Sequence, residues 1–248
     1  MEFELAIYVA CAFLVAGAVK GVSGLGLPTV AMGLLSLVMA PSAAAALLVA
    51  PSVTTNVLQS FGRRFPRVAS ELWPMWIAIP AGTFFSPIAP LTHGGPGVRI
   101  GLGLLLAIYG LYGLRKPQFT LRGSRRTTLL LSAVAGYATG VLTAATGIFV
   151  MPMVVFLQVL SFNKDEMVQA LGISFLVCTA ALAVSLGWRE SLAASLSLPG
   201  ALALAAALVG LSIGAFLRRF LDLGAFRKVL YTVFVALGTG MVIKGFTL

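Results

Sequence analysis

One formal charge in the 248-residue chain falls inside an otherwise unbroken apolar stretch: Lys20, in the run Lys20-Gly-Val-Ser-Gly-Leu-Gly-Leu-Pro28. The uncharged donors around it are Ser23 in the same run, Thr143 and Thr146 in a second interruption (Gly140 to Pro152), Thr55, Asn56 and Gln59 in the third apolar segment, and Ser174, Cys178 and Thr179 in the eighth. An ammonium with hydroxyl and amide donors can hold an anion by charge and hydrogen bonds. It is poor equipment for covalent chemistry. No Walker A run, metal-ligand cluster or Ser/His/Asp set can be assembled, and the acids Glu2, Glu4, Glu71, Asp165, Glu166, Glu190 and Asp222 all fall at segment ends or in loops. His93 stands beside Gly94-Gly95-Pro96 and reads as a loop residue, while Cys11 and Cys178 each sit alone in an apolar run, as buried small side chains rather than a disulfide. The expectation is therefore no enzyme, no catalytic residue, no bound metal and no cofactor.

The glycines set the geometry. Gly24, Gly26 and Pro28 in the first interruption, and Gly147 and Pro152 in the second, suit a helix that breaks and restarts, since glycine accepts positive φ and proline is favoured at a helix start. New helices are expected near Leu25 and Ile148. Each would offer free N–H donors and about half a positive charge to an anion. The candidate substrate-binding set is Lys20, Ser23, Gly24, Gly26, Thr55, Asn56, Thr143, Thr146, Gly147 and Ser174. Two readings of Lys20 stand side by side: a lysine at a span end that snorkels to the interface, or an unpaired cation that substrate neutralises. Gly17-x-x-x-Gly21 and Gly136-x-x-x-Gly140 read as close-packing faces between helices.

These residues must be positioned by a bilayer. The chain is 59% hydrophobic with only 10% charged residues, too few charges to cover a soluble protein of this size. Apolar runs define ten segments, at roughly 3–20, 26–40, 42–61, 71–90, 97–114, 127–143, 147–161, 165–187, 191–217 and 228–246. The second and seventh are too short to cross comfortably. If the segments alternate, one side receives Arg63, Arg64, Arg67, Arg115, Lys116, Arg122, Arg125, Arg126, Lys164, Arg218, Arg219, Arg227 and Lys228, against Arg99, Arg189 and Lys244 on the other. The basic side is then cytoplasmic and both termini face out. The net charge of +10 thus reports topology rather than nucleic-acid binding.

The halves resemble each other at an offset of about 120 residues, Gly17 and Gly21 answering to Gly136 and Gly140, and Gly26 to Gly147. Five segments per half is an odd number, so the second copy would enter upside down. The predicted fold is an all-α integral membrane protein of about ten helical segments in two inverted five-segment repeats, each with a broken-helix hairpin. The first repeat takes residues 1–114, a basic cytoplasmic linker residues 115–126, and the second repeat residues 127–248. A Gly- and Ala-rich face such as the ninth segment is a candidate for homodimerisation.

Two stretches carry a resemblance: Gly17-Ala-Val-Lys-Gly-Val-Ser-Gly-Leu-Gly-Leu-Pro28 followed by Pro41-Ser-Ala-Ala-Ala-Ala-Leu-Leu-Val, and Gly140-Val-Leu-Thr-Ala-Ala-Thr-Gly-Ile-Phe-Val-Met-Pro152 followed by Ala170-Leu-Gly-Ile-Ser174. With its length and two-fold repeat, the chain resembles the sulfite exporter TauE/SafE family, also called the 4-toluene sulfonate uptake permeases. It has single glycines around Gly26 and Gly147 where the family often has a pair. The resemblance implies a multi-pass transporter of the bacterial inner membrane, exporting small sulfur-containing or organic anions such as sulfite or sulfonates. One half would rock against the other around a site at the repeat interface. The competing readings are a membrane-embedded enzyme and a cation or metal permease, both short of the residues they need.

Overall fold

The structure, a computed structural model, describes residues 2–93, 95–115 and 124–246. Within them the chain is helical throughout: α1 (Glu2–Ser23), α2 (Leu27–Leu35), α3 (Pro41–Ser60), α4 (Phe65–Phe84), α5 (Pro96–Arg115), α6 (Arg125–Thr146), α7 (Met153–Val159), α8 (Lys164–Ser185), α9 (Trp188–Leu196), α10 (Leu198–Leu217) and α11 (Leu223–Phe246), with a 3-10 turn at Leu91–His93. Most of the expected linker, residues 116–123, lies outside the described residues, as does Gly94.

Local chemistry explains the boundaries. Proline stands in the first turn of α2, α3, α4 and α10, where its missing N–H costs nothing. Ser124 and Ser197 cap α6 and α10 by accepting from Thr127 and Gly200. Asn163 opens α8 with a capping box: its Oδ1 accepts from the Asp165 and Glu166 amides at 3.1 and 2.9 Å, and Glu166 Oε2 accepts from the Asn163 amide at 2.9 Å.

Seven helices among the described residues (α1, α3, α5, α6, α8, α10 and α11) are long and apolar enough to cross a membrane. α4 has the length, but Arg67, Glu71 and its internal Pro74 and Pro80 lower its apolar content. α2 and α7 are shorter than the sequence suggests, at 9 and 7 residues, and neither spans about 30 Å of hydrocarbon at 1.5 Å per residue. The expected ninth segment divides at Ser197 into α9 and α10, because Ser197 serves as N-cap with Pro199 just inside the new helix. The expected fourth segment, 71–90, is displaced toward the N-terminus as α4.

The long helices pair closely: α1 with α10, α4 with α6, α5 with α11, and α3 with α8. Three of these seams are made of glycine. A Cβ at Gly17 would sit 2.2 Å from the Ala207 carbonyl oxygen and one at Gly21 2.3 Å from that of Leu211, while α10 answers with Gly210 and Gly214 against Leu14 and Ala18. On α6, Gly136 and Gly140 lie in the same way against Met75 and Ile79 of α4, and Gly82 of α4 returns the contact at Tyr137. Gly103 of α5 and Gly238 of α11 face each other. Both Gly-x-x-x-Gly pairs therefore serve packing, which together with interhelical hydrogen bonds still favours association when lipid is as apolar as the partner helix. Gly210 and Gly214 are consumed within the chain, so the ninth segment's glycines are not free to meet a second copy. α8 is the most buried span and sits beside α3 at the centre.

Candidate functional site

The site is built where α1 breaks. α1 runs on to Ser23, three residues beyond the expected segment end, so Lys20 lies within its last turn. Its side chain is only 2% exposed. Nζ donates to Thr55 Oγ1 at 2.9 Å and to Asn56 Oδ1 on α3, and Lys20 makes no ion pair among the described residues. The ammonium is turned inward onto α3 instead of snorkelling. Behind it, Asn56 Nδ2 donates to Ser52 Oγ at 3.0 Å, and Ser52 and Thr179 share a hydrogen bond of 2.9 Å that ties α3 to α8. A buried cation is costly without a counter-charge, and three neutral side chains on α3 and one on α8 stand where a carboxylate would otherwise be expected.

The break itself is held by Ser23, whose Oγ donates within reach of the Val19 and Leu25 carbonyls, each at 2.8 Å, and accepts from the Leu25 amide at 3.2 Å. Gly24 and Gly26 take φ of +77° and +99°, conformations that glycine alone adopts without strain. The Gly24 carbonyl faces Gln59 Nε2 at 3.4 Å. α2 then starts without a side-chain cap. Val30 closes the first turn onto the Gly26 carbonyl, Pro28 has no N–H, and the Leu27 and Thr29 amides have no helical partner. Thr29 Oγ1 is buried there with no hydrogen bond among the described residues.

The second break differs. Gly147 has φ of +70° and packs against Met32 of α2 and Ala45 of α3, so the second break lies against the first helical hairpin. The chain then stays irregular through a cis Met151–Pro152 bond, and α7 begins at Met153, not near Ile148. Its first amide is already taken by Thr139 Oγ1 at 3.1 Å. The two expected anion-attracting helix ends therefore differ: the Leu27 and Thr29 amides have no helical partner, whereas the Met153 and Val154 amides of α7 are taken by Thr139 and Val150.

The sequence-predicted residues thus divide. Lys20, Thr55 and Asn56 form one hydrogen-bonded group, and Ser23, Gly24 and Gly26 shape its edge. Thr143 bonds the Thr139 carbonyl at 2.7 Å and lies within hydrogen-bonding reach of Cys178, the neighbour of Thr179 on α8. Thr146 bonds the Leu142 carbonyl at 2.6 Å and accepts from the Ile148 amide, and it lines a separate, largely apolar cavity of about 350 Å³ between α5 and α6. Ser174 is held elsewhere, accepting from Trp76 Nε1 of α4 at 2.9 Å. Ser52 and Thr179 were not among the predicted site residues. The signal was present in α3, where Ser52, Asn56 and Gln59 recur at spacings of four and three on one helical face. Among the described residues no three His, Cys, Asp or Glu side chains come together to hold a metal.

A match to the sulfite exporter TauE/SafE family covers residues 9–241 of the 248. The chain belongs to that family. Neither a curated protein nor a solved structure matches it. Membership and the seven apolar helices together make this a multi-pass membrane protein of a transporter family, and the buried Lys20 group lies wholly inside the matched region.

Proposed function

We propose that the protein exports small sulfur-containing or organic anions, such as sulfite or sulfonates, across a bacterial inner membrane by alternating access. The observation that carries this reading is Lys20: a buried amino group whose only hydrogen-bond partners among the described residues are the neutral acceptors Thr55 Oγ1 and Asn56 Oδ1. An entering oxyanion exchanges with Asn56 and Thr55 at the ammonium and supplies the missing negative charge. Lys20, Thr55 and Asn56 bind it, Gly24 and Gly26 let backbone approach, and Ser23, Thr143, Thr146, Gly147 and Ser174 support the surrounding breaks and helices.

An inverted-repeat architecture is supported by the pairing of helices. If α1, α2, α3, α10 and α11 correspond to α6, α7, α8, α4 and α5, the α1–α10 seam maps onto the α6–α4 seam, and Gly17 and Gly21 map onto Gly136 and Gly140. The α3–α8 and α5–α11 pairs map onto themselves, as elements on a two-fold axis must. The positive-inside count orients the basic loops to the cytoplasm and the termini outward. Outward movement of an anion is driven by an inside-negative potential, at about 2.3 kcal/mol per charge per 100 mV, so no carboxylate relay is required. A second copy of the chain would have to meet the outer apolar face of α10, at Leu202, Val209, Ile213 and Phe216, because its glycines are occupied.

The test is a flux and thermal-shift screen of the purified protein in vesicles against sulfite, thiosulfate, sulfoacetate, taurine and simple carboxylates. Flux and stabilisation by at least one of the sulfur anions is the expected result. Stabilisation by divalent cations and by none of the anions overturns the reading in favour of a cation permease.

A further inference from the structure

Where α3 ends and α8 begins, on the side of the protein that carries the basic loops, a cavity of about 530 Å³ opens beside Gln59, Arg63, Arg64, Asp165 and Gln169. Its charge is not balanced. Arg67, nearby on α4, is neutralised by the buried Glu166 at 3.1 Å, whereas Arg63 and Arg64 are exposed and make no ion pair among the described residues. Two arginines against the single Asp165 leave the cavity net positive.

Its wall also holds polar atoms that the protein does not satisfy. Gln169 is 3% exposed, and its Nε2 is fixed by the Ser60 and Gly62 carbonyls at 2.9 and 3.0 Å, yet its Oε1 has no partner. The opposite amide assignment would turn that oxygen onto two carbonyl oxygens, so the orientation is determined. Gln59 Oε1 is likewise buried and unpartnered, and its Nε2 makes only the long 3.4 Å contact with the Gly24 carbonyl. Both oxygens lie shielded behind the cavity surface, and an unpartnered buried acceptor is costly, so a shift of either side chain that brought its oxygen to the cavity would be favoured.

The cavity is in line with the Lys20 group. Gln59 is three residues beyond Asn56 on the same face of α3, about 4.5 Å along the axis at 1.5 Å per residue. The order from the basic side inward is thus Arg63 and Arg64, then Gln59, then Asn56 with Lys20, then Ser52 with Thr179. Along that face of α3 the loosely held Gln59 amide stands between the arginines and the buried ammonium.

We propose that this cavity is the vestibule of the transport route: Arg63 and Arg64 collect a small hydrated oxyanion from the basic side, and Gln59 is the gate it passes to reach Lys20. The proposal rests on Lys20 being the anion site. Arg63 and Arg64 raise the local anion concentration, so they act on capture and lose their effect as salt screens them. Gln59 swings off the Gly24 carbonyl to admit the anion, and that motion uncovers its own unpartnered amide oxygen to the anion's hydration water.

Two measurements decide it. In vesicles, the Arg63→Gln/Arg64→Gln double variant should raise KM for sulfite about fivefold at low ionic strength, by more than any fall in kcat, and converge on the wild type at high salt. In a Cys11→Ala/Cys178→Ala background, Gln59→Cys should react with a membrane-impermeant thiol reagent applied from the basic side, and sulfoacetate, which unlike sulfite does not itself consume such reagents, should slow that reaction. If the wild type transports and the double variant keeps the wild-type KM at low salt, the vestibule is overturned while the transport reading stands. If the wild type moves no anion, the transport reading fails by itself. The labelling then decides the cavity alone, and no reaction from the basic side overturns it.

Discussion

Replacing Lys20 by methionine separates binding from folding, because the two respond in opposite directions. The ammonium is bonded to Thr55 Oγ1 at 2.9 Å and to Asn56, and methionine keeps most of the aliphatic stem while deleting those bonds. Thr55 retains its bond to the Pro51 carbonyl at 2.8 Å, and Asn56 Nδ2 keeps Ser52 at 3.0 Å, so one acceptor, Asn56 Oδ1, is orphaned. That costs about 1–3 kcal/mol. Against it, the desolvation penalty of a buried ammonium, several kcal/mol in an apolar interior, disappears. The Tm of Lys20→Met in detergent should hold or rise. For the anion, a hydrogen bond to a charged group contributes about 1.5–3 kcal/mol, so Kd and KM for sulfite should rise roughly 10- to 150-fold at 1.4 kcal/mol per decade. Calorimetric binding with vesicle flux measures one side, and thermal unfolding without ligand the other. Unchanged affinity together with a fallen Tm would refute the reasoning and make Lys20 a packing residue.

Three further outcomes follow from the geometry. Gly140→Ala places a Cβ 2.1 Å from the Ile79 carbonyl oxygen and should cost about 1–3 kcal/mol, lowering Tm, whereas Gly97→Ala, with nothing within 4 Å, should leave Tm unchanged within experimental error. Equal Tm values for the two variants would contradict the glycine seam. Thr139→Val removes the acceptor that the Met153 amide uses at 3.1 Å; hydrogen exchange across α7 should quicken while α2 keeps its protection. Asn163→Ala deletes the cap that takes the Asp165 and Glu166 amides and should destabilise α8 by about 1 kcal/mol, read as a lower thermal midpoint.

What the sequence showed and what it hid have the same physical origin. The interruptions at Gly24–Pro28 and Gly147–Pro152 were legible because glycine and proline act through their own backbone, and Lys20, Thr55 and Asn56 because polar groups are rare in apolar runs. The inward turn of Lys20 was not legible. It depends on a contact 35 residues away in the chain. The helix start near Ile148 failed because Thr139, one turn before Thr143, supplies its hydroxyl to Met153 instead of leaving that amide free. The division at Ser197 was written in Ser197-Leu198-Pro199, but Leu196 and Leu198 on either side concealed it within one apolar run. Gln169, in the first turns of α8, was not singled out from the sequence; its burial comes from the end of α3 folding over it.

The glycine seams have a mechanical consequence. Residues 1–114 and 127–248 are halves of the sequence, yet α1 is clasped by α10 and α6 by α4, with backbone in contact across each seam. On the inverted-repeat reading proposed above, the two repeats are interleaved. A rigid body that includes α1 must carry α10 with it, and one that includes α6 must carry α4. In the alternating-access mechanism proposed above, the units that swing against each other would therefore be hybrids, each assembled from both halves of the chain, with the α3–α8 pair between them.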